Sequence, residues 1–249
     1  MGRKKVENTP DKDYSNITID DDFFKDLSKG TDFVMADEGS LMSARMKVPT
    51  PLLVINCIWG GGIPLGIMGE VSGPPASGKS TFAYQCMGNY QKYISDGVSV
   101  IYDQESSMDR DRLHSLGVDV GKVLRLPSTS MESSFENMFK MLNKLKEIHK
   151  TKDTISSFQI YDTLAAGGTN KQHESINQGG GAFNAGSMME SPRIIKQNLL
   201  NVFQYIEEFP VMILFLNQVF TQGVGTYAPS VKSGGGNSPW FGDPGCSDA

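Results

Sequence analysis

Residues 73–80 read GPPASGKS, a stretch that fits G-x-x-x-x-G-K-[ST], the phosphate-cradling loop of nucleotide-hydrolysing proteins. Gly73 and Gly78 permit a tight turn free of side chains, so that backbone N–H groups converge on phosphate oxygens. Pro74, Pro75, Ala76 and Ser77 form the body of that cradle. Lys79 supplies a mobile positive charge for the terminal phosphates. Ser80 supplies a hydroxyl for Mg²⁺, and Thr81 follows it at the start of a helix. GIMGEVSG before the loop reads as a short strand. STFAYQCMGNYQKY after it has helical spacing, with Phe82, Cys86 and Tyr90 four apart. The helix N-terminus then points at the phosphates. A chance glycine-rich turn is the plain alternative, and the strand–loop–helix order argues against it.

The chain has 249 residues, of which 39% are hydrophobic and 20% charged. That suits one large globular domain, or a domain preceded by an arm. The net charge of −5 gives no bulk attraction to nucleic acid, so any such binding must use local surfaces. Cys57, Cys86 and Cys246 lie far apart with no C-x-x-C pair, which reads as free thiols in a reducing compartment. The three histidines are equally isolated, so no metal-ligand cluster is visible. The apolar runs PLLVINCIW and VMILFL are too short to cross a bilayer, and no secretory signal is present. GRKK near the start reads as a solvated tail.

The organisation divides near residue 45. Residues 1–45 form an arm whose DDDFFKDLSKGTDF segment has the marks of a short helix. It carries acidic residues at its start, Phe23, Phe24 and Leu27 on one side, and Gly30 near its end. Such a helix could pack on its own core or on a neighbouring subunit. Residues 46–249 hold the core. Four apolar strand candidates appear there: GIMGEVSG, VSVIYDQE, SSFQIYD and VMILFLNQ. Apolar runs separated by helices predict an α/β fold with a parallel sheet covered on both faces. SFENMFKMLNKLKEIHK is an amphipathic helix with apolar residues at 135, 138, 139, 142, 145 and 148; its lysines form a solvated face. SPRIIKQNLLNVFQYIEEF is a second, with Pro192 in its first turn. Two long glycine-rich segments, 165–187 and 220–237, follow the third and fourth strands. Loops this long inside a compact domain point to function.

In an open parallel sheet, ligands bind beyond the carboxyl ends of the strands. Each candidate strand ends in chemistry. The first ends in the phosphate loop. The second ends with Asp103 and Glu105, expected on the same side of the strand. The third ends with Asp162, placed to hold the Mg²⁺ shell together with Ser80. The fourth ends with Asn217 and Gln218. Glu105, the carboxylate further past its strand, is preferred over Asp103 as the candidate base that orients and deprotonates an attacking water; a helix N-cap is its plain alternative. Gln218 is placed to meet the terminal phosphate or that water, and to report hydrolysis to the segment beyond.

These motifs, in this order and spacing, resemble the RecA recombinase family, especially its phage members of the UvsX type, from about Gly60 to Asn237. GGGIPLGIMGEVSGPPASGKS is similar to the family's Gly-Gly-Leu-Pro turn running into the phosphate loop. YDQESSMD resembles the segment that carries the catalytic glutamate, here Glu105. LGVD at 116–119 recurs at the matching distance. IYDTLAA resembles the second NTPase motif, with Asp162 and Thr163. FLNQV resembles the Asn-Gln strand end and puts phosphate sensing on Gln218. GGGN at 234–237 resembles the close of the second DNA-binding loop.

The resemblance implies a RecA-like, P-loop ATPase core with a short N-terminal helical arm that packs on the next protomer. It implies an ATP- and Mg²⁺-dependent, DNA-dependent ATPase that polymerises on single-stranded DNA, pairs it with homologous duplex DNA and exchanges strands. Partners would include single-strand-binding and mediator proteins, with no membrane. The location would be the cytoplasm of a bacterial or phage-infected cell, at the nucleoid. The two glycine-rich segments would be the DNA-binding loops. Gly168, Gly180, Gly235 and Gly236 would allow close backbone approach. Phe183, Phe220 and Tyr227 would stack on bases, and Lys171, Arg193 and Lys232 would neutralise phosphates. Asp109 and Arg112 fall where the family contacts adenine, and a guanidinium there can stack as a ring does.

Two departures stand out. Val219-Phe220-Thr221 replaces the arginine usual after the Asn-Gln pair. After GGGN only SPWFGDPGCSDA remains, where the family continues with core strands and basic residues that reach a neighbour's ATP. That departure gives the expectation of a truncated or interrupted gene product that holds ATP and hydrolyses it poorly. The alternatives are a helicase-type or loader ATPase with the same core, and a DNA-filament subunit that uses ATP only as a structural ligand. A small-molecule kinase would need an arginine-rich lid, which 165–190 lacks.

Overall fold

The computed structural model describes residues 29, 46–164, 166, 168–169, 190–222 and 230–233; residues 190–192, 207–208, 220–222 and 230–233 are described by their backbone only. The chain divides into two compact units, Met1–Ala44 and Arg45–Ala249. All of the first but Lys29 lies outside the described residues, the predicted arm helix included.

The element order is β1 (Lys47–Val48), α1 (Leu53–Ile58), β2 (Ile63–Pro64), β3 (Ile67–Gly73), α2 (Lys79–Tyr93), β4 (Gly97–Asp103), α3 (Arg110–Ser115), β5 (Val123–Pro127), α4 (Met131–His149), β6 (Ser156–Asp162), α5 (Glu190–Glu208), β7 (Val211–Gln222) and β8 (Ser230–Ser233). β1 and β2 pair antiparallel ahead of the main sheet. The main sheet runs β3-β7-β6-β4-β5, with β8 on β7. Its five path strands are parallel, and β8 is antiparallel to β7.

Residue alternation explains why the sheet is covered on both faces. Val211, Ile213 and Phe215 of β7 join one core cluster, with Phe135, Met138 and Leu142 of α4 and Leu199 and Val202 of α5. Met212, Leu214 and Leu216 join the opposite cluster, with Ala83, Cys86, Met87 and Tyr90 of α2. All seven residues of β6 are buried, as its central place in the sheet requires. On α4 the predicted stripe holds for Phe135, Met138, Leu142 and Leu145, while Ile148 at its end is exposed.

The structure corrects three readings. A fifth parallel strand, β5, was not anticipated. Its VLRLP carries a charge and ends in proline, and it sits at the sheet edge, where both are tolerated. β4 stops at Asp103, so Asp103 and Glu105 are not two residues on one side of a strand. Beyond β4 the chain turns: Ser106 takes φ 52°, and Gln104 and Glu105 donate their N–H groups to the Asp162 carbonyl. β7 continues four residues past Gln218, to Gln222, and pairs back with β8. The segment from 220 is therefore two strand arms around residues 223–229, with Phe220 opposite Lys232. The apolar run PLLVINCIW, given no secondary structure from the sequence, contains the short helix α1, whose Leu53, Val54 and Ile58 are exposed.

Candidate nucleotide site

Register brings the strand ends together. Asp103 lies opposite Asp162 across β4 and β6, and Gly73 lies opposite Gln218 across β3 and β7. The phosphate loop, the turn after β4, the end of β6 and the middle of β7 thus share one edge of the sheet.

The loop after β3 has the backbone its sequence predicts. Gly78 caps α2 at φ 91°, in the left-handed region that favours glycine. A Cβ on Gly73 would stand 2.7 Å from Ser77 Oγ, so any larger residue there would have to turn the Ser77 hydroxyl aside. Lys79 is buried, and its Nζ donates to the carbonyls of Gly73 at 3.0 Å and Pro74 at 2.9 Å. These bonds hold the ammonium across the loop's mouth. Gly78 to Thr81 form the first turn of α2 and aim its free N–H groups at the same place.

Asp162 is almost fully buried. Its Oδ2 accepts from Tyr84 Oη at 3.1 Å, while its Oδ1 has no hydrogen-bond partner among the described residues. Burial pushes its carboxyl above the usual range; the nearby Ser80 hydroxyl draws it down, and the Glu105 and Asp103 charges push it up. A buried carboxylate with an orphaned oxygen beside a serine hydroxyl is a donor set for a hard, oxygen-loving cation. The residues present therefore fit Mg²⁺ with a nucleotide triphosphate. The Asp162–Thr163 peptide is cis.

Glu105 sits at the centre of the polar edge. Its Oε1 accepts from Thr163 Oγ1 at 3.0 Å and from Gln218 Nε2 at 2.9 Å. The carboxylate after β4 is thereby tied to the residue after β6 and to an amide in β7. Beside it, Asn217 Nδ2 donates to Glu70 at 2.9 Å and locks β7 to β3. Asp103 faces elsewhere: it accepts from Arg125 Nη2 at 2.6 Å and from the N–H groups of Ser107 and Met108.

Asp109 caps α3, its Oδ1 accepting from the N–H groups of Asp111 and Arg112. Arg112 Nη2 donates to Thr81 Oγ1 at 2.8 Å, which lays the guanidinium over the start of α2. Of the predicted DNA-binding residues, Gly168 accepts at its carbonyl from Met131 N–H at 2.8 Å, and Arg193 is exposed on α5. Phe220 and Lys232 lie on β7 and β8. Lys171, Gly180, Phe183, Tyr227, Gly235 and Gly236 lie outside the described residues.

Two site residues were not anticipated. Tyr84 lies four residues after Ser80 and so on the same face of α2, a spacing that was legible. Arg125 gave no signal, being a lone arginine in a strand that was not recognised. Cys57 and Cys86 are free thiols; Cys246 lies outside the described residues. Among the described residues no helix is long and apolar enough to cross a membrane, and no cluster of three or more His, Cys, Asp or Glu could hold a metal ion.

Comparison with known proteins shows what the chain as a whole is similar to. A Protein RecA of Crocosphaera subtropica is 26% identical over 235 residues, covering 92% of this chain and 61% of the relative. One from Arthrospira platensis is 27% identical over 241 residues, covering 95% and 60%. One from Picosynechococcus is 31% identical over 134 residues, covering 53% and 36%. The chain thus spans about three fifths of the length of the first two. The family model for the RecA N-terminal domain matches residues 25–243, nearly the whole chain, and the protein belongs to that family.

Proposed function

We propose that this protein is an ATP-dependent DNA recombinase of the RecA kind, which assembles on single-stranded DNA and pairs it with homologous duplex. The observation that carries the reading is the tie of Glu105 to Thr163 and Gln218. The residues of the polar edge divide the work. The backbone of Gly73 to Gly78 and the start of α2 cradle phosphate oxygens, and Lys79 swings from the loop carbonyls to neutralise them. Ser80 and Asp162 would hold Mg²⁺, which when bound with ATP supplies charge neutralisation at the phosphates. Glu105 orients a water and takes its proton. Gln218 senses the terminal phosphate and passes its state along β7.

Thr163 stands two residues before the segment from 165, and Gln218 lies on β7, which leads into the segment from 223, so a partner of Glu105 precedes each proposed DNA-binding segment. That arrangement supports DNA-dependent turnover. The resemblance of the motifs to phage members supports a UvsX-type recombinase, with the 1–45 arm as an assembly element and a cytoplasmic, nucleoid-associated location. Mediator and single-strand-binding proteins are the partners this reading implies.

The test is ATP hydrolysis with and without single-stranded DNA, for the wild type, Lys79→Ala and Glu105→Gln. Turnover that DNA leaves unchanged would overturn the recombinase reading. A salt titration of DNA binding counts contacted phosphates, with a slope of about −0.7 per phosphate for single strands.

A further inference from the structure

The turn that presents Glu105 is held from the far edge of the sheet. Asp103 closes β4 with its side chain 1% exposed, a position where a carboxylate must be paired or hydrogen-bonded. Arg125 of β5 supplies the pairing: Nε at 3.0 Å and Nη2 at 2.6 Å both reach Asp103 Oδ2. The other oxygen is thereby left for the turn. Oδ1 accepts from Ser107 N–H at 3.1 Å, and Met108 N–H approaches Oδ2 at 3.4 Å. Register makes this possible, because Arg125 lies opposite Ile101 and so projects from the face that carries Asp103. Between the strand and these anchored amides stand Gln104, Glu105 and Ser106. Ser106 is at φ 52°, a conformation that a non-glycine residue keeps only when its surroundings hold it there.

We propose that Arg125 is a positioning residue for hydrolysis: through Asp103 it holds the turn 104–108 so that Glu105 meets Thr163 and Gln218. The inference rests on the hydrolytic reading of Glu105 given above. Arg125 acts through the carboxylate it orients and touches no reacting atom. Arginine suits the task because its planar fork places two donors on one oxygen from a fixed direction. Without it, Asp103 loses the partner that fixes its direction, and the amides of Ser107 and Met108 lose a firm acceptor. A displacement of the base by about 1 Å is enough to cost on the order of 100-fold in turnover.

The experiment compares the wild type, Arg125→Leu and Arg125→Lys, each checked for folding by circular dichroism. Three quantities are read: ATP turnover, affinity for a non-hydrolysable ATP analogue with Mg²⁺, and amide hydrogen exchange at Ser107 and Met108. The expected result for Arg125→Leu is turnover lower by about 10- to 100-fold with analogue affinity within about twofold. Exchange at the two amides should be faster, exchange in β6 unchanged, and Arg125→Lys should recover part of the turnover. Should Arg125→Leu fail to fold, Arg125→Lys alone decides, with the same directions at smaller size. Turnover equal to wild type, unchanged exchange at both amides, or an equal loss of affinity and turnover overturns the proposal. A wild type that binds the analogue and does not turn over ATP overturns the hydrolytic reading; exchange at Ser107 and Met108 then decides whether Arg125 holds the turn.

Discussion

Gln218 Nε2 donates to Glu105 Oε1 at 2.9 Å, so an amide in β7 and a carboxylate beyond β4 form one hydrogen-bonded unit. The same oxygen takes the Thr163 hydroxyl at 3.0 Å. A carboxylate oxygen with two donors is restrained, and a charged terminal phosphate is a stronger acceptor for an amide N–H than a shared oxygen. Gln218 therefore has two competing partners, and the choice between them couples the site to the segment beyond β7. Gln218→Ala should keep nucleotide affinity and lose coupling. Stimulation of hydrolysis by single-stranded DNA, at least about fivefold in an ordinary coupled system, should fall below about twofold. Full stimulation in Gln218→Ala, measured by phosphate release with and without DNA, would remove Gln218 from the pathway.

Lys79 and Glu105 should separate binding from chemistry. Lys79 bonds the loop's own carbonyls and supplies a buried positive charge at its mouth. Truncating a charged hydrogen-bonding partner costs roughly 1.5–3 kcal/mol, so Lys79→Ala should weaken ATP binding by about 10- to 100-fold. Glu105→Gln keeps size and donors' geometry and removes the base. Its analogue affinity should stay near wild type while turnover falls by about 100-fold or more. Titration calorimetry with a non-hydrolysable analogue checks the first, and steady-state turnover the second. A Glu105→Gln enzyme at wild-type speed would leave the base elsewhere, with Asp103 excluded by its bond to Arg125.

The legible parts of this chain are those where one residue type has one physical use. GPPASGKS demands a strand before it and a helix after it, and β3 and α2 stand there. Asp162 after FQIY is a charge at the end of a buried run, and it proved to be the buried carboxylate beside Ser80. What could not be read depended on partners distant in sequence. β5 is missing from the strand candidates because Arg125 and Pro127 interrupt a short apolar pattern; it is a strand because β4 offers it an edge. Glu105 is preferred over Asp103 as the carboxylate further past its strand, but the turn at Ser106 and the bond of Asp103 to Arg125 leave no periodic trace. The length of β7 was hidden likewise, since Asn217 and Gln218 look like a strand end until β8 pairs beyond them.

Asp162 should trade stability for ligand binding. Its carboxylate is buried with one oxygen unpartnered among the described residues, and burial disfavours its charge. Asp162→Asn removes that charge at constant shape and keeps an oxygen for Tyr84. Without nucleotide, the variant should be more stable by roughly 1 kcal/mol, read as a rise of about 2–4 °C in Tm. With Mg²⁺ and ATP the order should invert, because the wild type alone offers the cation a charged oxygen. Thermal melts with and without Mg²⁺-ATP check both halves. An Asp162→Asn protein that gains as much as wild type from Mg²⁺-ATP would exclude Asp162 as a cation ligand.

Cys57 and Cys86 should part company toward thiol reagents. Cys57 is exposed on α1, whereas Cys86 is fully buried on α2 against the sheet, and burial pushes its thiol up to about 12. The nucleophile is the thiolate, so Cys86 is doubly protected, by lack of access and by lack of charge. In a Cys246→Ser background, an alkylating reagent at pH 8 should label one thiol quickly. The second should react only on unfolding, as counted by mass spectrometry. The raised value has a stability sign as well. The folded thiol holds its proton more tightly than the unfolded one, whose ordinary value is 9.0. The contribution is complete below pH 9 and is lost as pH rises toward 12, because the unfolded chain there releases a proton that the folded chain retains. Denaturant melts of the Cys57→Ser, Cys246→Ser protein should therefore show a fall in midpoint above pH 9 that a further Cys86→Ala substitution reduces. Rapid labelling of Cys86 in the native protein at pH 8 would mean that α2 opens far more often than its packing against β6 and β7 allows.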